Sequence, residues 1–525
     1  RLTRGATVFP GNMALGAARD PELARRAAAV MGSEMRAVGI QFNLAPVLDV
    51  NNNPRNPVIG VRSYGEDPEL VAELGAAQIE GYQQFVVATA KHFPGHGDTA
   101  VDSHMARPVV GHGRERLFQV ELLPFRRAIA AGVEAIMTAH MSVPAIEPDP
   151  RLPATLSRRV ITGLLREELG YDGIIITDSL GMRGVSAEYD MVEASLLALE
   201  AGCDLLCASS HTYYGTFVYD AVFAAVRAGR ISEERIEESA RRVLRAKVRL
   251  GLLGDVGIVQ GKARDQAEAE GYGEIQSQVV NVTLAEVGSA AHRAVAQEVA
   301  RRAITLVQGS AELPTDIETV VVVEFAAQAQ TGVEDLRLER GAERAAERGA
   351  GRVDAPGAVA GGSGAKGQVQ RQRQEQGQGG DGGPLARALR EALGQRQSHW
   401  SSGVGVRVLG LVLPLSPDPG LRQRLLTQFD APGQATPGKV AVVVATLDAM
   451  RNGGQADLIR ELADIGVPVR VISLRNPYEL SSLGAADKIA SFLAAYSPQP
   501  VSLAASAEAL AGLLTPTGRL PITIA

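Results

Sequence analysis

Five short apolar runs recur along the first half of the chain, at residues 40–49, 85–91, 135–140, 173–178 and 204–207, each closing on a polar residue or a thiol. Between them lie amphipathic stretches at 68–84, 114–132, 157–170 and 191–201, long enough for crossover helices. Apolar runs without strict alternation suit strands buried on both faces, as in parallel sheets. Strand-and-helix units of about thirty to forty residues restrict the fold to a parallel α/β barrel or an open doubly wound sheet.

The polar closures favour the barrel. There the strand ends converge on one mouth, so Asp49, Lys91, His140 and Asp178 could share a pocket, whereas an open sheet gathers only residues near its switch point. A (β/α)8 TIM-type barrel needs eight strands and about 250 residues. With five runs before residue 210, the first strands are expected to be missing ahead of Arg1. The chain begins on Arg1 without methionine or signal peptide, so it reads as a fragment, and cytoplasmic and secreted locations both stay open.

A long amphipathic helix at 232–250 closes this first, catalytic domain, placed at residues 1–254. Residues 255–293 read as an interdomain linker. A second domain is expected over 294–525, with strand candidates at 303–307, 319–323, 404–413, 440–444, 469–473 and 500–503 and helices such as 455–465. These β-branched runs alternating with helices imply a three-layer αβα sandwich. A low-complexity insertion rich in Gly, Ala, Arg, Gln and Glu interrupts it at about residues 339–384 and lacks the apolar surface to form a core.

Composition removes several classes of function. The net charge of −6 arises from mixed acids and bases, which argues against a nucleic-acid partner, and no run approaches the ~20 apolar residues of a membrane span. Cys203 and Cys207 form neither a disulfide framework nor a zinc set, and read as free thiols in an apolar segment.

Polar chemistry is concentrated just after the second run. Residues 91–104 hold Lys91, His92, His96, Asp98, Asp102 and His104, three of the eight histidines of the chain among them. Burying such groups unpaired costs roughly 2–7 kcal/mol each, so their density points to catalysis. Asp102 and His104, two apart in a loop, can form a carboxylate–imidazole pair that orients the ring. Asp178, at the tip of a buried run, is either an anchor for loop amides or a nucleophile or base. His92 and His96 have the four-residue spacing of a helical zinc motif, but Pro94, Gly95 and Gly97 break any helix there and no glutamate follows His92, so no metal is expected.

Lys91-His92-Phe93-Pro94-Gly95-His96-Gly97-Asp98, Asp102-Ser103-His104 and Thr177-Asp178-Ser179-Leu180-Gly181-Met182 closely resemble family 3 glycoside hydrolases of the NagZ-like β-N-acetylhexosaminidase branch. Matches at 45–50, 56–68 and 137–142 extend the resemblance through most of residues 1–250, and 476–478 and 517–524 carry it loosely into the second domain. The resemblance implies a retaining glycosidase that releases terminal β-linked N-acetylglucosamine, in which Asp178 forms a covalent glycosyl intermediate and His104, held by Asp102, is the acid/base. It further implies that Lys91, His92, Arg62 and Arg1 bind the sugar, that His96, Asp98, Asp49 and His140 support the site, and that no cofactor is required. The partner implied is then a carbohydrate substrate, such as a peptidoglycan fragment, with the oligomeric state open. A phosphorylase acting on the same glycosides, a β-glucosidase of the family and a non-catalytic carbohydrate-binding relative are the alternatives.

Overall fold

The computed structural model describes residues 5–208, 212–253, 282–326, 382–396, 406–429 and 439–524. They fall into two compact units, Arg1–Thr305 with Thr517–Thr523, and Leu306–Pro516 with the last two residues.

The first unit opens on helices α1 (Asn12–Ala18) and α2 (Pro21–Ala37). Asp20 caps α2 by accepting from the Leu23 amide, and Pro21 fills the first position, where no donor is needed. Helix α3 (Pro68–Gln83) starts in the same way from Asp67. Strand β1 (Thr89–Phe93), helices α4 (Arg114–Gln119) and α5 (Leu123–Ala130), and strand β2 (Ala135–Thr138) follow. The single helix expected over 114–132 is therefore two helices, because Pro124 cannot donate to a continuing helix and begins a new one. A π-type helix, Arg159–Glu168, precedes β3 (Ile174–Ile176). Helices α6 (Arg183–Ser186), α7 (Met191–Ala201), α8 (Thr212–Arg227) and α9 (Glu233–Arg249) complete the alternation.

β1, β2 and β3 form a parallel sheet in chain order. Parallel bridges Phe42–Val87 and Val47–Lys91 continue it on one side, and Ile176–Leu205 on the other, so all five expected runs lie side by side. Among the described residues of this unit the regular sheet has three strands. At the strand starts, Val87, Ala135 and Ile174 pack with Leu250, just beyond α9. That apolar plug leaves the opposite, carboxyl ends of the strands for polar groups.

The boundaries differ from those expected at 254 and 294. Helix α10 (Ala290–Ala303) belongs to the first unit, with Ala296, Val299, Ala300 and Ala303 buried and ion pairs joining Glu298 to Arg26 and Arg302 to Asp20. Thr517–Thr523 returns to the same unit, where the Arg519 amide donates to the Ala17 carbonyl at 3.0 Å and Glu66 to Pro521 at 3.0 Å. Local pattern could not show this, since both segments are held by partners distant in sequence. Residues 255–281 of the expected linker lie outside the described residues, as does all but the last part of the 339–384 insertion.

The second unit is built on a six-stranded sheet of order β4-β9-β8-β7-β5-β6. Its strands are β4 (Thr305–Gly309), β5 (Thr319–Phe325), β6 (Arg407–Leu413), β7 (Val440–Thr446), β8 (Val469–Ser473) and β9 (Ser491–Ala494). β5 pairs in parallel with β6 and β7, and β7, β8 and β9 continue in parallel. β8 is buried at every position, so both faces are covered, as a layered α/β unit requires. One expectation fails here: residues 500–503 are no strand but open a helix, Pro500–Leu510, in which Pro500 takes the first turn and an alanine-rich run follows. The strand that the apolar count missed is β9. Among the described residues no helix is long and apolar enough to cross a membrane.

Candidate active site

The carboxyl ends of the parallel strands gather the polar residues. Asp49 ends the first run and is fully buried. It accepts from the His96 amide at 2.7 Å, the His92 amide at 3.2 Å and His92 Nδ1 at 2.7 Å. Burial pushes its carboxyl up, but His92 beside it and the His96 amide outweigh this and hold it at about 2. Because a carboxylate only accepts, the His92 proton sits on Nδ1; Nε2 faces Arg62 Nη2 at 3.4 Å. Burial, with Arg62 and Lys91 nearby, keeps this ring below the usual histidine range despite Asp49.

Lys91 and His92 are neighbours that regular alternation would send to opposite faces. The β1–β2 ladder instead jumps from Lys91 to Phe93, and both side chains lie in the electrostatic field of Asp178. Burial and the nearby Arg62 lower the Lys91 amino group to about 8, against the pull of Asp178 and Asp49. Asp178 itself follows the buried Thr177, and its Oδ1 accepts from the Ser179 amide at 2.7 Å. Burial raises its carboxyl, but His92, His140, Lys91 and that amide together bring it below the ordinary range, so Asp178 is ionised.

The loop after β1 is fixed from several sides. Asn56 Nδ2 donates to the carbonyls of His96 and Gly97 at 2.9 and 2.8 Å, and Thr99 Oγ1 lies 2.7 Å from His96 Nδ1. A Cβ on Gly97 would stand 1.8 Å from the Val50 carbonyl oxygen, so only glycine fits. Burial lowers His96 to about 4. Asp98 pairs with His112 and lies 3.9 Å from Arg116, which also reaches Glu121 at 3.4 Å. The ligand atoms of Asp98, His112 and Glu121 lie within 4.8 Å of one another, but the Arg116 guanidinium already supplies positive charge there.

Farther along the loop Asp102 Oδ1 accepts from the His104 amide at 2.8 Å and from His104 Nδ1 at 2.7 Å. The acceptor-only carboxylate sets the proton on Nδ1, leaving Nε2 for exchange. Burial raises Asp102, yet its two bonds from His104 hold it below the normal value. The Gly184 amide, six residues beyond Asp178, donates to the Ser103 carbonyl at 3.1 Å, and Arg107 Nε donates to the Gly184 carbonyl at 3.0 Å. These contacts join the loop of Asp102 and His104 to the loop that follows Asp178. Neither Gly184 nor Arg107 stood out in the sequence, because each acts through backbone contacts with a distant loop. Of the residues expected at the sugar, Lys91, His92 and Arg62 come together around Asp49 and Asp178, while Arg1 lies outside the described residues.

The family profile described as Glycosyl hydrolase family 3 N terminal domain matches residues 1–246, and that described as Glycosyl hydrolase family 3 C-terminal domain matches 207–525. Beta-hexosaminidase A of Pseudoalteromonas piscicida is 36% identical over 329 residues, covering 59% of this chain and 51% of that protein. A beta-N-acetylglucosaminidase/beta-glucosidase of Cellulomonas fimi is 34% identical over 313 residues, again 51% of its length, so the chain spans about half the length of these curated relatives. The solved structure of a glycoside hydrolase family 3 beta-N-acetylglucosaminidase from Paenibacillus sp. str. FPU-7 superposes with a TM-score of 0.76 at 37% identity, covering 100% of this chain and 84% of that one.

Proposed function

Because the chain belongs to glycosyl hydrolase family 3, we propose that it is a retaining glycosidase releasing terminal β-linked N-acetylglucosamine from peptidoglycan fragments. The observation that carries this reading is the Asp102–His104 pair, bonded at 2.7 Å, on a loop tied through Ser103 to the loop of Asp178. The first unit is read as a (β/α)8 barrel with its mouth at this site, a reading supported by five parallel runs in chain order.

In the first step an oxygen of the Asp178 carboxylate bonds to the anomeric carbon as the glycosidic C–O bond breaks. His104, protonated on both nitrogens, passes its Nε2 proton to the leaving oxygen. In the second step His104 takes a proton from water while that water bonds to the anomeric carbon and the ester to Asp178 breaks. A neutral base serves the second step without placing another negative charge beside Asp178. Lys91, Arg62 and His92 are the sugar-binding groups: two cations donate to hydroxyls, and His92 offers Nε2 as an acceptor. Arg1 is a further sugar-binding group in this reading.

The specificity is tested with paired chromogenic β-N-acetylglucosaminide and β-glucoside substrates. Release from the first is expected to exceed release from the second by at least about tenfold in kcat/KM. Equal rates would favour the dual activity in the name of the Cellulomonas fimi relative, and release from the glucoside alone would reject the proposal.

The Lys91 amino group gives a second prediction. Since burial and Arg62 hold it at about 8, its charge is present below that pH and lost above it. Calorimetric affinity for free N-acetylglucosamine should fall by up to about tenfold per unit above about pH 8 in the parent protein. Lys91→Ala should bind weakly with no such fall. A parent affinity that stays level to about pH 9.5 would remove the charged Lys91 from the binding set.

A further inference from the structure

His140 follows β2 and is buried between the loop carrying Asp178 and the turn near residue 155. Its two ring nitrogens are both engaged. Nε2 lies 2.9 Å from the Ser179 carbonyl oxygen, which can only accept, so the ring proton is on Nε2. Nδ1 lies 2.9 Å from Thr155 Oγ1, whose own neighbours are Thr138 Oγ1 and the Ala139 carbonyl, each at 2.9 Å. With its proton on Nε2, the ring leaves Nδ1 as an acceptor beside the Thr155 hydroxyl, for whose proton the Ala139 carbonyl competes.

The peptide that His140 grips is the one after Ser179. Its carbonyl is held by Nε2, and its amide, that of Leu180, donates to the Cys207 carbonyl at 2.9 Å. The peptide before it carries the Ser179 amide that binds Asp178 Oδ1 at 2.7 Å. A peptide plane pinned at both ends fixes the direction of its neighbour, since only two dihedrals separate them. Gly184 packs against the base of His140: a Cβ there would meet the His140 Cβ and carbonyl oxygen, each at 2.9 Å.

We propose that His140 is the positioning residue of the nucleophile: by holding the Ser179 carbonyl, it aims the Ser179 amide at the Asp178 carboxylate and fixes that carboxylate for attack. This rests on the reading of Asp178 as nucleophile. The other groups facing Asp178 are Lys91 and His92 from β1, and His104 is within the field of His140. A donor aimed at the ionised form favours it, so losing that aim raises the pH at which Asp178 becomes protonated.

The test compares His140→Phe, which fills the space without a donor, with His140→Gln, whose amide can still reach the Ser179 carbonyl. His140→Phe is expected to lower kcat about 100-fold with KM within a few-fold, the scale of a misplaced reacting group. Its acid limb in the pH profile of kcat/KM should move to higher pH, and His140→Gln should recover part of both effects. Circular dichroism and N-acetylglucosamine binding verify that each variant is folded. A folded His140→Phe with parental kcat overturns the proposal. So does a drop in kcat with an unmoved acid limb and no recovery by glutamine, because packing alone then accounts for it. Turnover retained by Asp178→Asn would instead overturn the nucleophile reading, whatever His140 does.

Discussion

Asp178→Asn is expected to lose turnover by about 10⁴-fold or more, while free N-acetylglucosamine still binds within a few-fold at about pH 6. The substitution preserves shape, and the amide oxygen can still accept from the Ser179 amide, as Oδ1 does at 2.7 Å. What disappears is the charge that the proposed mechanism bonds to the anomeric carbon. Asp49 is the other carboxylate in the electrostatic field of Lys91, but its oxygens are taken by His92 and the His96 amide. The low pH for binding matters because Asp178 helps to keep Lys91 charged, so the variant should lose that charge below the parental value of about 8.

Asp178→Ala adds a stereochemical readout. If Asp178 is the nucleophile, removing its carboxyl leaves room on the attacking face, so azide supplied with an activated β-glycoside should give the α-glycosyl azide. Inverted product together with lost hydrolysis supports direct bonding of Asp178 to the sugar. Parental hydrolysis in either variant would end the assignment, and weakened sugar binding with unchanged kcat would make Asp178 a binding group.

Much of this geometry was legible because a buried parallel strand announces itself by a run of apolar residues and its working end by the polar residue that stops the run. Asp49, Lys91, His140 and Asp178 were all readable in that way, and they do share one end of the sheet. The Asp102–His104 contact was legible because two residues in a turn need no distant partner. The irregularity that brings Lys91 and His92 to one site was not, since it depends on how β1 meets β2. Nor was the return of Thr517–Thr523 to the first unit, held by Ala17 and Glu66. Residues 500–503 misled because β-branched and apolar side chains at a helix start look like a short strand until the proline is taken as a first-turn residue.

His104 sets the second large effect, and the leaving group reveals its role. His104→Ala should slow hydrolysis of an alkyl β-N-acetylglucosaminide by about 10²–10⁴-fold, the range for a lost general acid. With a dinitrophenyl leaving group no proton is needed at departure, so formation of the intermediate should be almost unaffected. Its breakdown still needs a base to activate water, so intermediate should accumulate, giving a burst of dinitrophenol and a fallen KM. Azide, which needs no base, should accelerate this second step and yield the β-configured azide. Asp102→Asn should show the same pattern more mildly. Its amide oxygen can still receive the His104 amide, now at 2.8 Å from Oδ1, but the charge that stabilises an imidazolium is gone. An equal loss on both leaving groups in His104→Ala, with no burst, would remove His104 from proton transfer. The acid would then have to be sought in a carboxyl elsewhere, and the reading that rests on the Asp102–His104 pair would fall with it.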